Sequence, residues 1–137
     1  MELIKKHQTD VENRSLTAST VGNIDYLFTS AEDKTVHLYR VDGSSFTEIY
    51  KFQCANPNCL LWLKEHSILL VAELNVSLQS HSVRAFKFGI DMKKTVEEAT
   101  VLNANEGLNI QSWIETGENG VTLFDWKKRE LVDLKVI

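Results

Sequence analysis

Amphipathic helix is missing from this sequence. No window carries apolar residues at i, i+3, i+4 and i+7 over three turns. Only residues 93–100 compete as a helical turn or two, and Thr95 and Val96 weigh against it. Cysteine is scarce. Cys54 and Cys59 are too few for a disulfide framework, and His66 alone nearby does not complete a zinc set. Both read as buried or loop thiols of a reducing compartment. Basic charge is scarce as well, with 15 Lys+Arg against 19 Asp+Glu and a net charge of −4. Phosphate contacts need a basic stripe, so direct nucleic-acid contact is not expected. The densest basic cluster, Lys127-Lys128-Arg129, runs at once into Glu130 and reads as a solvated turn. No apolar run approaches the ~20 residues of a helical membrane span, so no membrane span is expected. The start, Met1-Glu2-Leu3-Ile4-Lys5-Lys6-His7, is short and charged, unlike a signal peptide. It reads as a natural start, and the expected location is cytoplasmic or nuclear.

What the sequence does contain is strand pattern. The 137 residues, 43% hydrophobic and 25% charged, suffice for a single folded domain spanning 1–137. Apolar residues come in short runs and period-2 alternations rich in Val, Ile, Thr and aromatics. They predict strands over 16–21, 25–31, 35–41, 46–53, 59–64, 67–74, 82–89, 96–103, 108–115, 120–126 and 130–136. Turn residues separate them: Val21-Gly22-Asn23, Asp42-Gly43-Ser44-Ser45, Ala55-Asn56-Pro57-Asn58 and Glu118-Asn119-Gly120. Asn119-Gly120 is read as a tight hairpin with positive φ at both positions. Residues 73–82 carry no special turn chemistry and are expected to protrude as a loop.

Three segments align without gaps: Thr35-Val36-His37-Leu38-Tyr39-Arg40-Val41, Ser82-Val83-Arg84-Ala85-Phe86-Lys87-Phe88 and Gly120-Val121-Thr122-Leu123-Phe124-Asp125-Trp126. Each has Val second and an aromatic fifth. An apolar strand precedes each, and a polar turn and strand follow. The unit is an antiparallel sheet of up to four strands, written three times over 16–53, 59–103 and 108–137. Only about four residues part strands 96–103 and 108–115. Either the third unit lacks its first strand or the division there falls elsewhere.

The stretch Tyr26-Leu27-Phe28-Thr29-Ser30-Ala31-Glu32-Asp33-Lys34-Thr35-Val36-His37-Leu38-Tyr39 resembles the second half of a WD repeat, as does Gly117-Glu118-Asn119-Gly120-Val121-Thr122-Leu123-Phe124-Asp125. Phe124-Asp125 falls where that family's Trp-Asp pair falls, and Asp33 matches its turn aspartate. Tyr39-Arg40 and Phe86-Lys87 replace the pair in the other repeats. No Gly-His pair opens any repeat, and His37, His66 and His81 stand elsewhere. The resemblance implies a divergent WD-type β-propeller: an all-β fold of about three four-stranded antiparallel blades in an incomplete ring. A β-sandwich is the alternative for so many alternating strands.

Catalytic patterns are absent. There is no phosphate loop, no Gly-x-Ser-x-Gly and no His-Glu-x-x-His. The acidic pairs Glu32-Asp33 and Glu97-Glu98 read as solvated surface. No catalytic residue, cofactor site or metal site is expected. Closed propellers carry ~4–8 blades, so three leave apolar end faces open. The expected role is therefore a non-catalytic protein–protein interaction scaffold within a multi-subunit assembly. A protein partner, the rest of a longer chain, or a second copy would complete or cap the ring. A chain that breaks off at Lys135-Val136-Ile137 in mid-strand favours the first two over the last. The alternatives are a non-catalytic subunit supporting an enzyme, one acting on RNA for example, and a self-contained sandwich binding a small ligand. Candidate interaction residues are Trp62 and Trp113 as anchors, and Leu131, Leu134 and Val136 on the last strand. The stretches 73–82 and 54–59 are candidate contact loops.

Overall fold

The computed structural model describes residues 1–117 and 119–135. Among these the fold is all-β, with eleven strands and one short 3-10 turn (Ala104–Glu106). The strands are β1 (Asn13–Val21), β2 (Ile24–Ala31), β3 (Thr35–Asp42) and β4 (Ser45–Gln53); β5 (Pro57–Leu63), β6 (Ile68–Asn75), β7 (Ser80–Phe88) and β8 (Lys94–Leu102); and β9 (Ile110–Glu115), β10 (Gly120–Asp125) and β11 (Glu130–Lys135). They form antiparallel sheets of four, four and three strands, each strand beside its sequence neighbour. Sheet number and order fit three consecutive blades. Residues 94–100 lie on β8 rather than in a helix, as Thr95 and Val96 favour.

The three sheets share one internal landmark. A β-bulge sits where each first strand begins: Asn13 and Ser15 face Ala31 and Ser30, Pro57 and Cys59 face Glu73 and Ala72, and Ile110 and Ser112 face Asp125 and Phe124. At the end of each second strand an N–H closes the bulge: Glu32 to Glu12 O (2.9 Å) and Trp126 to Asn109 O (3.4 Å), each just past the strand, and Leu74 to Asn56 O (3.1 Å) within the end of β6. By this landmark β9 corresponds to β1 and β5, and β10 to β2 and β6. Among the described residues the strand lacking from the third sheet is thus the outermost, not the first. The alignment of residues 120–126 with 35–41 and 82–88 is one strand out. The pattern with Val second and an aromatic fifth falls on the third strands β3 and β7 and on the second strand β10, so it does not tell a second strand from a third.

The middle sheet is covered on both sides, which explains its runs Cys59–Leu63 and Ile68–Ala72. Toward the first sheet it presents Leu60, Trp62, Leu69, Val71, Phe86 and Phe88, packed on Phe28, Leu38 and Phe52. Trp62 stacks on Phe28 at 5.4 Å between ring centroids and meets Phe88 edge-on at 5.8 Å. Such pairs add roughly 0.5–1.5 kcal/mol to area burial. The unpaired backbone edge of β5 is satisfied across the seam, Leu60 N–H donating to Ser15 Oγ (3.3 Å) and Trp62 N–H to Thr17 Oγ1 (3.2 Å). Toward the third sheet the middle one presents Leu63, Leu70, Ala72 and Val83, met by Ile110, Trp113, Val121 and Leu123.

Three turn expectations are corrected. The stretch 73–82 is no protruding loop: β6 runs to Asn75 and β7 starts at Ser80, with Glu73, Ser80 and His81 buried. These polar side chains find partners inside the fold, and a reading by hydropathy takes them for a loop. The stretch 54–59 shortens likewise, since β5 begins at Pro57 and both cysteines are buried. At the last hairpin the positive φ angles belong to Gly117 (59°) and Asn119 (60°). Gly120 serves by its lack of a side chain, since a Cβ there would lie 2.1 Å from Thr116 O.

Candidate protein-interaction surface

Among the described residues the third sheet is finished on one face and one edge only. Its inward residues Trp113, Val121, Leu123 and Leu134 pack toward the middle sheet. Its other face carries Ser112 and Ile114, Thr122 and Phe124, Leu131 and Asp133, as the cross-strand pairing places them. Ile114 is 62% exposed and Leu131 78%. Phe124 directly opposes Leu131 and is also exposed. In the first two sheets both faces of the second and third strands are largely buried, so this apolar triad belongs to a face that nothing covers among the described residues.

Beside that face is a cleft. A cavity of about 360 Å³ separates the middle and third sheets, lined by Leu63, Ile68 and Leu70 on one wall and by Trp113, Val121 and Leu134 on the other. Val101 and Leu102 of β8 and Lys135 of β11 border it. Strand β11 pairs with β10 along one edge, and no described strand pairs with the other. A cleft of apolar side chains therefore adjoins a free row of backbone donors and acceptors.

The sequence-predicted residues scatter across this picture. Leu131 lies on the open face and Leu134 in the cleft. Trp113 is buried, lines the cleft, and donates from Nε1 to Leu60 O (3.0 Å). Trp62 is 4% exposed in the seam between the first two sheets, so it is core and not a surface anchor. Val136 lies outside the described residues. The exposed tryptophan is Trp126, at 49%, just past the end of β10.

The far face of the first sheet is covered, unlike that of the third. Residues 5–11 lie across it, with the His7 ring 5.5 Å from Phe46 and 6.5 Å from Tyr39. The expectation of two open end faces thus reduces to one. Beneath this strap sits the group closest to catalytic geometry. Thr35 Oγ1 is 2.6 Å from His37 Nε2, and His37 Nδ1 contacts Glu48. The connectivity matches a hydroxyl nucleophile, its base and an orienting carboxylate. The Thr35 hydroxyl, however, donates to Asp33, directing its proton away from the imidazole, and holds the Asp33 carboxyl below its usual range. Glu32-Asp33 is therefore not free of neighbours, as the sequence suggested: His37 Nε2 stands 3.6 Å from Asp33. The cluster ties the β2–β3 turn to β4. The second sheet repeats the link as Arg84–Glu98 (2.7 Å), one partner on each of β7 and β8.

Asp33 and Glu48 approach opposite ring nitrogens of His37 and do not converge on one point. Among the described residues no three of His, Cys, Asp and Glu are placed to hold a metal ion. Burial pushes the Cys54 thiol up to about 12 and Cys59 up to about 11, which leaves both protonated and unreactive at neutral pH. Among the described residues no helix is long and apolar enough to cross a membrane. No protein-family model matches the chain, and no curated protein matches it.

Proposed function

We propose that this chain is a non-catalytic protein-interaction module whose partner supplies a β-strand to β11. The observation that carries this reading is the free edge of β11 beside the apolar cleft. A strand laid there takes the place that β4 and β8 hold in the first two sheets. Backbone hydrogen bonds give it affinity, and alternate side chains enter the cleft and give it specificity. The likeness of residues 26–39 to a WD repeat, with Asp33 in the turn after the second strand, supports reading the sheets as blades of a larger assembly.

The test is selection from a displayed library of nine-residue peptides. Enriched peptides should alternate apolar and polar residues, protect β11 amides from hydrogen exchange, and lose binding to the Leu134→Asp variant. Failure to enrich any peptide, or enrichment indifferent to Leu134→Asp, overturns the proposal.

A further inference from the structure

The three bulges do more than bend their strands. In each, one residue is left without a cross-strand partner: Arg14 in β1, Asn58 in β5 and Gln111 in β9. Bulges re-aim side chains, and here all three are aimed at one place. Arg14, Asn58 and Gln111 line a single open pocket of about 620 Å³ at the end of the molecule where the first strands begin. Arg14 Nη1 reaches Asn58 Oδ1 at 3.4 Å. The remaining wall includes Gln79, Asn109, Trp126 and Lys127. The Lys127 ammonium rests 5.3 Å from the centre of the Trp126 ring.

The chemistry of this pocket departs from that of the chain. The whole carries a net charge of −4, yet the pocket's lining holds two cationic side chains and no carboxylate. Among the described residues neither Arg14 nor Lys127 forms an ion pair. The Asp125 carboxylate, between Phe124 and the pocket-lining Trp126, is fully buried and accepts from the N–H groups of Asn109, Lys127 and Lys128 at 3.1–3.3 Å. Side-chain amides line the pocket on several sides, and such groups match the alternating donors and acceptors of a peptide backbone. A half-exposed tryptophan supplies an apolar platform.

We infer that this pocket binds an acidic peptide segment of a partner protein, with Arg14 and Lys127 receiving carboxylate side chains and the amides receiving its backbone. An extended polyanion is disfavoured, since two cations on an otherwise acidic protein offer few phosphate contacts. The inference does not rest on strand docking at β11, which uses different residues.

Fluorescein-labelled peptides bearing an Asp-Glu pair, and the same peptides with Asn-Gln, give the test by fluorescence polarisation. The acidic set should bind and weaken with added salt, and the amide set should not bind. Arg14→Gln and Lys127→Gln should each lower affinity about tenfold. Both side chains are exposed, so an unchanged melting curve should accompany the loss. Leu134→Asp, which probes the β11 cleft, should leave this binding intact. Equal binding of the two peptide sets, indifference to Arg14→Gln and Lys127→Gln, or no binding at ~1 mM peptide overturns the inference. So does tighter binding of a phosphorylated peptide that inorganic phosphate displaces, which would make the site a phosphate receptor.

Discussion

At the scale of single residues, the fold's polar interior is organised by His81. Its Nδ1 accepts from Ile110 N–H (3.0 Å), its Nε2 faces Asn58 (3.2 Å), and its own N–H donates to Leu108 O (2.8 Å). It thus joins β7 to β5 and to the entry of β9 through a neutral ring. Burial lowers its pKa below the usual 6.5, and Lys127 lowers it further. The unfolded chain then takes up this proton at higher pH than the folded one. The contribution is therefore whole above about pH 6.5 and is lost as pH falls through that value toward the depressed one. Urea midpoints at pH 7 and pH 5 should differ more for the native chain than for His81→Gln; equal differences would remove His81 from the acid response. Hydropathy could not find this residue, since a histidine beside serines reads as loop. Arg14 and Trp126 were missed for a related reason, their roles depending on bulges that appear only once strands pair. Leu131 and Leu134 were named together from the sequence, and pairing on β11 puts them on opposite faces, Leu134 in the cleft and Leu131 in solvent.

At the scale of elements, alternation was a reliable guide to strands. β1 and β5 carry only a partial alternation, but the turns Gly22-Asn23 and Asn56-Pro57 bound them, and both form. What alternation could not supply was the identity of each strand within its sheet. The hairpins show two uses of glycine. Gly22 has φ +58° with nothing within 4 Å of a prospective Cβ, whereas Gly120 has Thr116 O at 2.1 Å. Gly22→Ala should cost about 1 kcal/mol through its backbone angle alone. Gly120→Ala must push the Thr116 carbonyl aside and should cost roughly 1–3 kcal/mol. Thermal melts of the two variants should show the larger drop for Gly120→Ala, and the reverse order would show that the β9–β10 hairpin yields freely.

At the scale of the whole molecule, the asymmetry between ends matters most. A strap of residues 5–11 covers the first sheet, and the third sheet presents Ile114, Phe124 and Leu131 on an open face. Exposed apolar sheet faces and free edges promote association. The native chain should rise above its 15.6 kDa mass with concentration in light scattering. Ile114→Lys with Leu131→Lys should hold it monomeric, and identical behaviour of both proteins would show that this face does not drive contact.

The strict neighbour pairing of strands has a kinetic consequence. Every sheet closes from consecutive hairpins, so each can form as its own stretch leaves the ribosome, without waiting for distant chain. What remains is docking of preformed sheets along the seam that Ser15, Thr17 and Trp62 hold. Substitutions in that seam should shorten the lifetime of the folded state more than they delay its formation.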